Sequence, residues 1–296
     1  FRWRQAPFAQ EQMHAGLMLR NDEPAAAMAE IKMVKNEIDE LELPPIEQAE
    51  IALIHDYEAD WMCEIDNQSA DFSYLRLVLD IYRAARQNGG DVDVIGPQDS
   101  LDGYKLVLLP ALMSLDKELE KRLAASGARI LAGPRAGVKT SDFQIPENLT
   151  ADVLSGMTGF RSERLDALPR SVPLTAEWQG ISGTVSIWHE RGTITGHASG
   201  TVGGDEPLLV SGNSASYLTG WPDETILRAI LGEQMDKAGI TRHVMPDYLR
   251  MRRRGGLVIL TNYGPQSVAA PKSLVGNFCV GQRDVPSAGV SIMMQS

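Results

Sequence analysis

The stretch KLVLLPALMSLDKELEKRLAASGARIL, residues 105–131, decides the fold. Residues 105–109 read as a short apolar strand, 116–125 as an amphipathic helix, and 128–131 as a second strand. The same rhythm precedes it. Residues 51–54 read as a strand, 71–87 as a helix carrying Leu75, Val78, Ile81 and Ala85 on one face, and 92–95 as another strand. Short apolar strands that alternate with helices are buried on both sides, which predicts a parallel, doubly wound α/β sheet.

Outward from this core the pattern changes in both directions. Residues 21–41 read as a helix, with Asn21 or Asp22 as cap, Pro24 in the first turn, and Met28, Ile31, Val34, Ile38 and Leu41 on a face expected to be buried. Pro44 and Pro45 mark a boundary after it. Beyond Pro146, residues 185–188, 192–197 and 208–211 read as short strands separated by Gly-rich turns, so antiparallel additions to the sheet are expected. Residues 222–238 read as one more helix, with Pro222 and Asp223 in its first turn. Residues 256–261, 266–270, 278–280 and 287–293 then look like strands of a small all-β module.

Composition narrows the function classes. The 296 residues carry 39 acidic and 28 basic side chains, a formal charge of -11, which repels a nucleic-acid backbone. No apolar run approaches the ~20 residues of a bilayer helix. Residues 1–20 lack the pattern of a signal peptide. Cys63 and Cys279 form no CxxC pair, so neither a disulfide framework nor a cysteine zinc site is expected, and a reducing cytoplasm fits best. The chain opens on Phe1 rather than methionine, and the expectation is that more protein precedes it.

The most informative segment chemically is FRWRQAPFAQEQMHAGL, residues 1–17. Phe1, Trp3 and Phe8 can cover the apolar face of a pyranose, Glu11 can accept hydrogen bonds from adjacent hydroxyls, and His14 can donate another. Glu11 and His14 stand one helical turn apart, so both can face one ligand. A solvated polar turn accounts for the same spacing.

This segment resembles the end of the catalytic barrel in glycoside hydrolase family 42 β-galactosidases, where a strand end like FRWRQ leads to the substrate-binding Glu and His of a turn like EQMH. The likeness continues through DYEADWMCEI at 56–65, ADFSY at 70–74, GPRAGVKTSDFQIPENL at 133–149 and the closing β module. The resemblance implies that residues 1–43 are the last strand, loop and helix of a TIM barrel. It makes 44–245 a flavodoxin-like, class I glutamine amidotransferase-like trimerisation domain, and 246–296 a terminal antiparallel β domain. It further implies that Glu11 and His14, with Phe1 and Trp3, bind galactose at the barrel's C-terminal face. The family's acid/base and nucleophile glutamates belong to barrel strands before Phe1, so the chain by itself is expected to hold no catalytic residue and to be inactive. No metal or other cofactor is expected. The implied partners are a galactoside and two further copies of the chain in a homotrimer, with no nucleic acid and no membrane. A stand-alone, non-catalytic assembly or carbohydrate-binding module is the alternative.

Other constellations read more plainly. His55, Asp56, Glu58, Asp60 and Glu64 follow the first strand, where doubly wound sheets often bind ligands, but their spacing scatters them, and a structural or interface role is expected. A glutaminase-like activity needs a nucleophile on a sharp strand-to-helix turn, and the matching turn, GPRAG at 133–137, offers neither thiol nor hydroxyl. Cys63 lies in acidic surroundings that raise a thiol pKa. Arg250, Arg252, Arg253 and Arg254 are expected to answer acidic groups across an interdomain or subunit contact. His189 and Glu190 read as a hairpin-edge pair.

Overall fold

The computed structural model describes residues 3–6, 16–41, 43–67 and 69–295. They fall into two compact units, 1–47 and 48–296.

In the first unit, Arg4 bridges Met18 in parallel fashion, with Met18 N–H donating to the Trp3 carbonyl at 2.9 Å and Gln5 N–H to the Met18 carbonyl at 3.0 Å. Helix α1 spans Ala27–Glu40. It starts later than its spacing suggests. Ala26 occupies the cap without a side-chain hydrogen bond, while Asn21 accepts from Glu23 N–H and Asp22 takes a positive φ of 62°. The apolar stripe forms, but no residue of α1 is buried, and Ile31, Val34 and Ile38 are 42%, 42% and 47% exposed. Periodicity defines a stripe, whereas burial needs a surface to lay it on, and the described residues of this unit supply none.

The second unit begins with β1 (Ile51–Ile54), α2 (Tyr57–Ile65), α3 (Tyr74–Gln87), β2 (Val92–Ile95), β3 (Leu106–Leu109), α4 (Lys117–Ala125), β4 (Arg129–Ala132) and α5 (Asp152–Thr158). The four strands are parallel, in the order β2-β1-β3-β4. Alternate residues of each strand face opposite layers. Ile51, Leu53, Leu106 and Leu108 pack with Met62 of α2 and Leu77 and Ile81 of α3. Ala52, Ile54, Val107 and Leu109 pack with Leu119 and Leu123 of α4 and Leu154 of α5. Each fully buried Leu or Ile contributes about 1.5–3 kcal/mol, which is why both faces of β1 and β3 read as unbroken apolar runs.

Helix α2 lies within the acidic stretch that follows β1. Asp56 caps it, accepting from Glu58 N–H at 3.1 Å, and Ala59, Met62 and Cys63 give it a buried face.

An antiparallel region follows: β5 (Phe160–Leu168), β6 (Leu174–Trp178), β7 (Ile181–Ile194), β8 (His197–Val202), β9 (Glu206–Ser211), β10 (Ala215–Leu218) and β11 (Gly220–Pro222). Strand β10 pairs in parallel with β4 and antiparallel with β9, so both regions form one eleven-stranded sheet. Two expected strands turn out to be parts of the single long β7 and the start of β8. Gly192 lies inside β7, where a Cβ would come within 1.8 Å of the Arg161 carbonyl oxygen. The next helix, α6, spans Glu224–Lys237. Pro222 closes β11 rather than opening the helix, and Asp223 is the cap, accepting from Thr225 and Ile226 N–H at 3.1 Å each.

The remaining strands are β12 (Leu249–Arg254), β13 (Leu257–Asn262), β14 (Val268–Ala269), β15 (Gly276–Val280), β16 (Asp284–Val285) and β17 (Val290–Gln295). They make an antiparallel sheet β12-β13-β17-β15 and a β14-β16 pair, around a core of Met245, Leu249, Met251, Val258, Leu260 and Met293. Arg86 at the end of α3 ties this module to the sheet. It pairs with Asp91 at 2.8 Å and donates to the Met251 carbonyl, while Arg253 N–H donates to Asp91 at 2.9 Å. No helix among the described residues is long and apolar enough to cross a membrane.

Candidate functional site

Of the four residues expected at a sugar pocket, Phe1, Glu11 and His14 lie outside the described residues. Trp3 is described and is 62% exposed. Its neighbourhood is ordered by backbone pairing between residues 3–5 and 18, and by an exposed ion pair between Arg4 and Asp22 at 2.9 Å. Gly16 permits that pairing, since a Cβ there would come within 2.9 Å of the Arg4 backbone.

A second constellation lies where the parallel strands end, at the turn after β4. Gly133 takes φ +87° and Arg135 φ +63°, and a Cβ on Gly133 would sit 2.4 Å from the Leu218 carbonyl oxygen. This is the sharp strand-to-loop turn on which an amidotransferase would mount a nucleophile, and here it mounts a guanidinium. Arg135 is 1% exposed. Its guanidinium carbon lies 4.7 Å from the Phe72 ring centre and 4.5 Å from that of Trp188. Burial pulls its pKa below the usual arginine value.

Beneath that turn Glu190 is fully buried, and its Oε2 accepts from Arg135 N–H at 3.5 Å. Burial pushes its carboxyl up to about 7, against the opposing pull of the Tyr217 hydroxyl and Arg135. Adjacent His189 is also fully buried, and burial together with the Arg191 charge lowers it to about 4. Both residues lie in the interior of β7 rather than at a hairpin edge, because β7 runs on past them and is flanked by β5 and β11. Cys63 faces the same region, but burial, with smaller contributions from Asp60, Asp66 and Glu64, raises its thiol to about 11 despite Arg135. A thiol so held is protonated at neutral pH and is a poor nucleophile. The arrangement anchors a turn; it offers no hydrolytic chemistry.

His55, Asp56, Glu58, Asp60 and Glu64 do not converge. They are distributed along the start and outer surface of α2, and no group among the described residues could hold a metal ion. The arginine run forms β12, where Arg252 and Arg253 approach Asp91 at 3.9 and 3.7 Å and Arg252 approaches Asp93 at 3.6 Å. Arg252 and Arg253 thus answer acids of the parallel-sheet region from the β module, within one compact unit. The Arg135–Trp188–Glu190 arrangement escaped sequence reasoning, which tested the GPRAG turn for a nucleophile alone. Its signal was a Trp-His-Glu run inside an apolar strand.

Comparison with known proteins bears on the whole chain. The family described as "Beta-galactosidase trimerisation domain" matches residues 49–241. The β-galactosidase BgaA of Thermus sp is 38% identical over 96% of this chain and 44% of its own length. The β-galactosidase BgaH of Haloferax lucentense is 28% identical over 99% of this chain and 46% of its own. Among solved structures, a β-galactosidase from the psychrophilic Marinomonas ef1 superposes with a TM-score of 0.92 at 33% identity, covering 100% of this chain and 46% of that one. One from Halorubrum lacusprofundi gives 0.90 at 26% identity, covering 99% and 47%. The chain therefore spans a little under half the length of these relatives.

Proposed function

The chain belongs to the β-galactosidase trimerisation-domain family of glycoside hydrolase family 42, and on that premise we propose that it serves a retaining β-galactosidase as its assembly and sugar-contacting portion. The observation that carries this is the match over residues 49–241 together with the superposition of the full chain on a β-galactosidase. In the complete enzyme, one glutamate attacks the anomeric carbon of a terminal β-D-galactose while a second, ~5–5.5 Å away, protonates the leaving oxygen and then activates water. The family resemblance assigns both to barrel strands before Phe1, and it assigns Glu11, His14, Phe1 and Trp3 to galactose binding.

On this reading residues 1–43 end a TIM barrel, a reading supported by the uncovered apolar stripe of α1. Residues 44–245 are the trimer-forming domain, and its strand order β2-β1-β3-β4-β10 supports a flavodoxin-like, amidotransferase-like ancestry. Residues 246–296 are the terminal β domain. The two free cysteines suit a cytoplasmic enzyme.

A homotrimer needs a heterologous contact that closes after three copies. Tyr57, Trp61 and Ile65, 69%, 57% and 76% exposed, recur every fourth residue along α2 and form the apolar stripe we assign to that contact. Light scattering on the complete enzyme should give three copies, and Trp61→Glu should shift it to smaller species. An unchanged trimer would remove α2 from the interface.

The hydrolytic reading is tested separately. The 296-residue chain should release no nitrophenol from a nitrophenyl β-galactoside, whereas Glu11→Gln and His14→Ala in the complete enzyme should each lower kcat/KM by roughly ten- to a hundredfold, the loss of one charge-assisted hydrogen bond. Unchanged kinetics in both variants would overturn the sugar-contact assignment.

A further inference from the structure

A groove of about 400 Å³ opens where α3 meets the β module. Tyr248 and Tyr263 stand on its rim, 59% and 71% exposed, and Leu79 and Tyr82 line its α3 side. Arg83, Arg86 and Arg250 complete the lining, and Arg250 is half-buried, with hydrogen bonds to the Leu249 and Pro246 carbonyls at 2.7 and 3.5 Å. Among the described residues Arg250 makes no ion pair. Burial first, and then the like charges of Arg86, Arg228 and Arg83, disfavour its cation, against the favourable charge of Asp247. Arg83 and Arg86 are already engaged by Asp80 and Asp91. In a chain of net charge -11, three arginines thus line one groove, and Arg250 is the one of them without an ion-paired carboxylate.

The rim is built for display. Tyr248 takes φ +64°, a conformation that costs a bulky side chain about 1–3 kcal/mol and persists where the surroundings enforce it. Tyr263 N–H donates to the Tyr248 carbonyl at 3.0 Å, which sets the two tyrosines side by side. Gly264 leaves room for them, since a Cβ there would come within 2.9 Å of the Tyr248 Cβ.

We infer that this groove is a carbohydrate-binding site for an anionic pyranose, a sugar bearing a carboxylate or a phosphate. Tyrosine faces suit the C–H faces of a sugar ring, phenolic hydroxyls exchange hydrogen bonds with ring hydroxyls, and Arg250 receives the charge through a bidentate, charge-assisted contact. The volume falls within the range of small-ligand sites. The inference stands apart from the hydrolytic reading, because binding is measured on a chain expected to perform no turnover.

Calorimetry on the 296-residue chain with D-galacturonate, D-galactose 6-phosphate, D-galactose and inorganic phosphate tests it. At least one charged sugar should bind, roughly tenfold or more tighter than galactose and than phosphate, and the tighter of the two identifies the anion. Arg250→Gln should erase the preference for charge, and Tyr263→Ala should weaken the charged sugar while Tyr263→Phe retains most of the affinity. Unchanged circular dichroism in the exposed-site Tyr263→Ala variant separates lost binding from lost folding. Binding of no sugar, equal binding of phosphate, or insensitivity to Arg250→Gln would each overturn the assignment.

Discussion

The guanidinium carbon of Arg135 lies 4.5 Å from the ring centre of Trp188 and 4.7 Å from that of Phe72, two rings that themselves meet edge to face at 5.8 Å. No carboxylate of the described residues stands within ion-pair distance of it, and none of its guanidinium nitrogens reaches a protein acceptor. A charge buried in this way is worth less than an apolar group of similar volume. Arg135→Met should therefore melt at or above the parent temperature, and Arg135→Ala, which opens a cavity, should lose about 2–4 kcal/mol. Urea unfolding of both variants checks this; equal losses would mean that the cation itself stabilises the turn.

Glu190 and His189 shift in opposite directions and give opposite pH dependences. Glu190, raised from 4.5 to about 7, keeps its proton in the folded state where the unfolded chain has lost it, so its contribution falls as pH rises between about 4.5 and 7. His189, lowered from 6.5 to about 4, stays neutral in the fold while the unfolded chain binds a proton, so its contribution rises from about pH 4 to 6.5. The two slopes largely cancel in the parent. Glu190→Gln should uncover the histidine slope and be more stable than the parent at pH 8 by up to about 3 kcal/mol, with the difference vanishing near pH 4.5. Denaturation midpoints across that range are the measurement.

Asp91 joins the sheet to the β module, accepting from Arg86 Nη1 at 2.8 Å and from Arg253 N–H at 2.9 Å, with both side chains largely buried in the Arg86 pair. Asp91→Ala strands a buried guanidinium and should cost about 3–5 kcal/mol. Hydrogen exchange should accelerate first in β12 and β13. Arg252→Ala removes a partner 3.9 Å away and 38% exposed, and should change stability by less than about 1 kcal/mol.

Gly133 permits the turn that aims Arg135 inward. Gly133→Ala places a methyl group 2.4 Å from the Leu218 carbonyl oxygen at φ +87°, against backbone that cannot yield cheaply. A loss above about 2 kcal/mol is expected, with a changed tryptophan fluorescence as Trp188 loses its stacking partner. A neutral outcome would show that the turn has another accessible conformation.

The parallel core was legible because its residues meet the rule that underlies the reading: Ile51, Leu53, Leu106 and Leu108 face one helical layer and Ala52, Ile54, Val107 and Leu109 the other, so apolar runs are continuous. Helix α2 was hidden by its acids, since only Ala59, Met62 and Cys63 of its nine residues are buried. The length of β7 was hidden by His189, Glu190 and Arg191, whose polar side chains interrupt the apolar pattern between the two expected strands. The buried pair at positions 189 and 190 was hidden for a different reason. Polar side chains announce solvent in a sequence, and only the sheet on both sides of β7 removes it. The expectation that Glu11 and His14 contact a sugar rests on a motif rather than on spacing, and both residues lie outside the described ones.

Strand β10 pairs with β4 along one side and with β9 along the other. A gene split at that seam would leave each product with a raw, ungated row of amide donors and carbonyl acceptors, an invitation to aggregate. The two regions are thus held by one shared backbone ladder, and parting them would add a new unpaired edge to each.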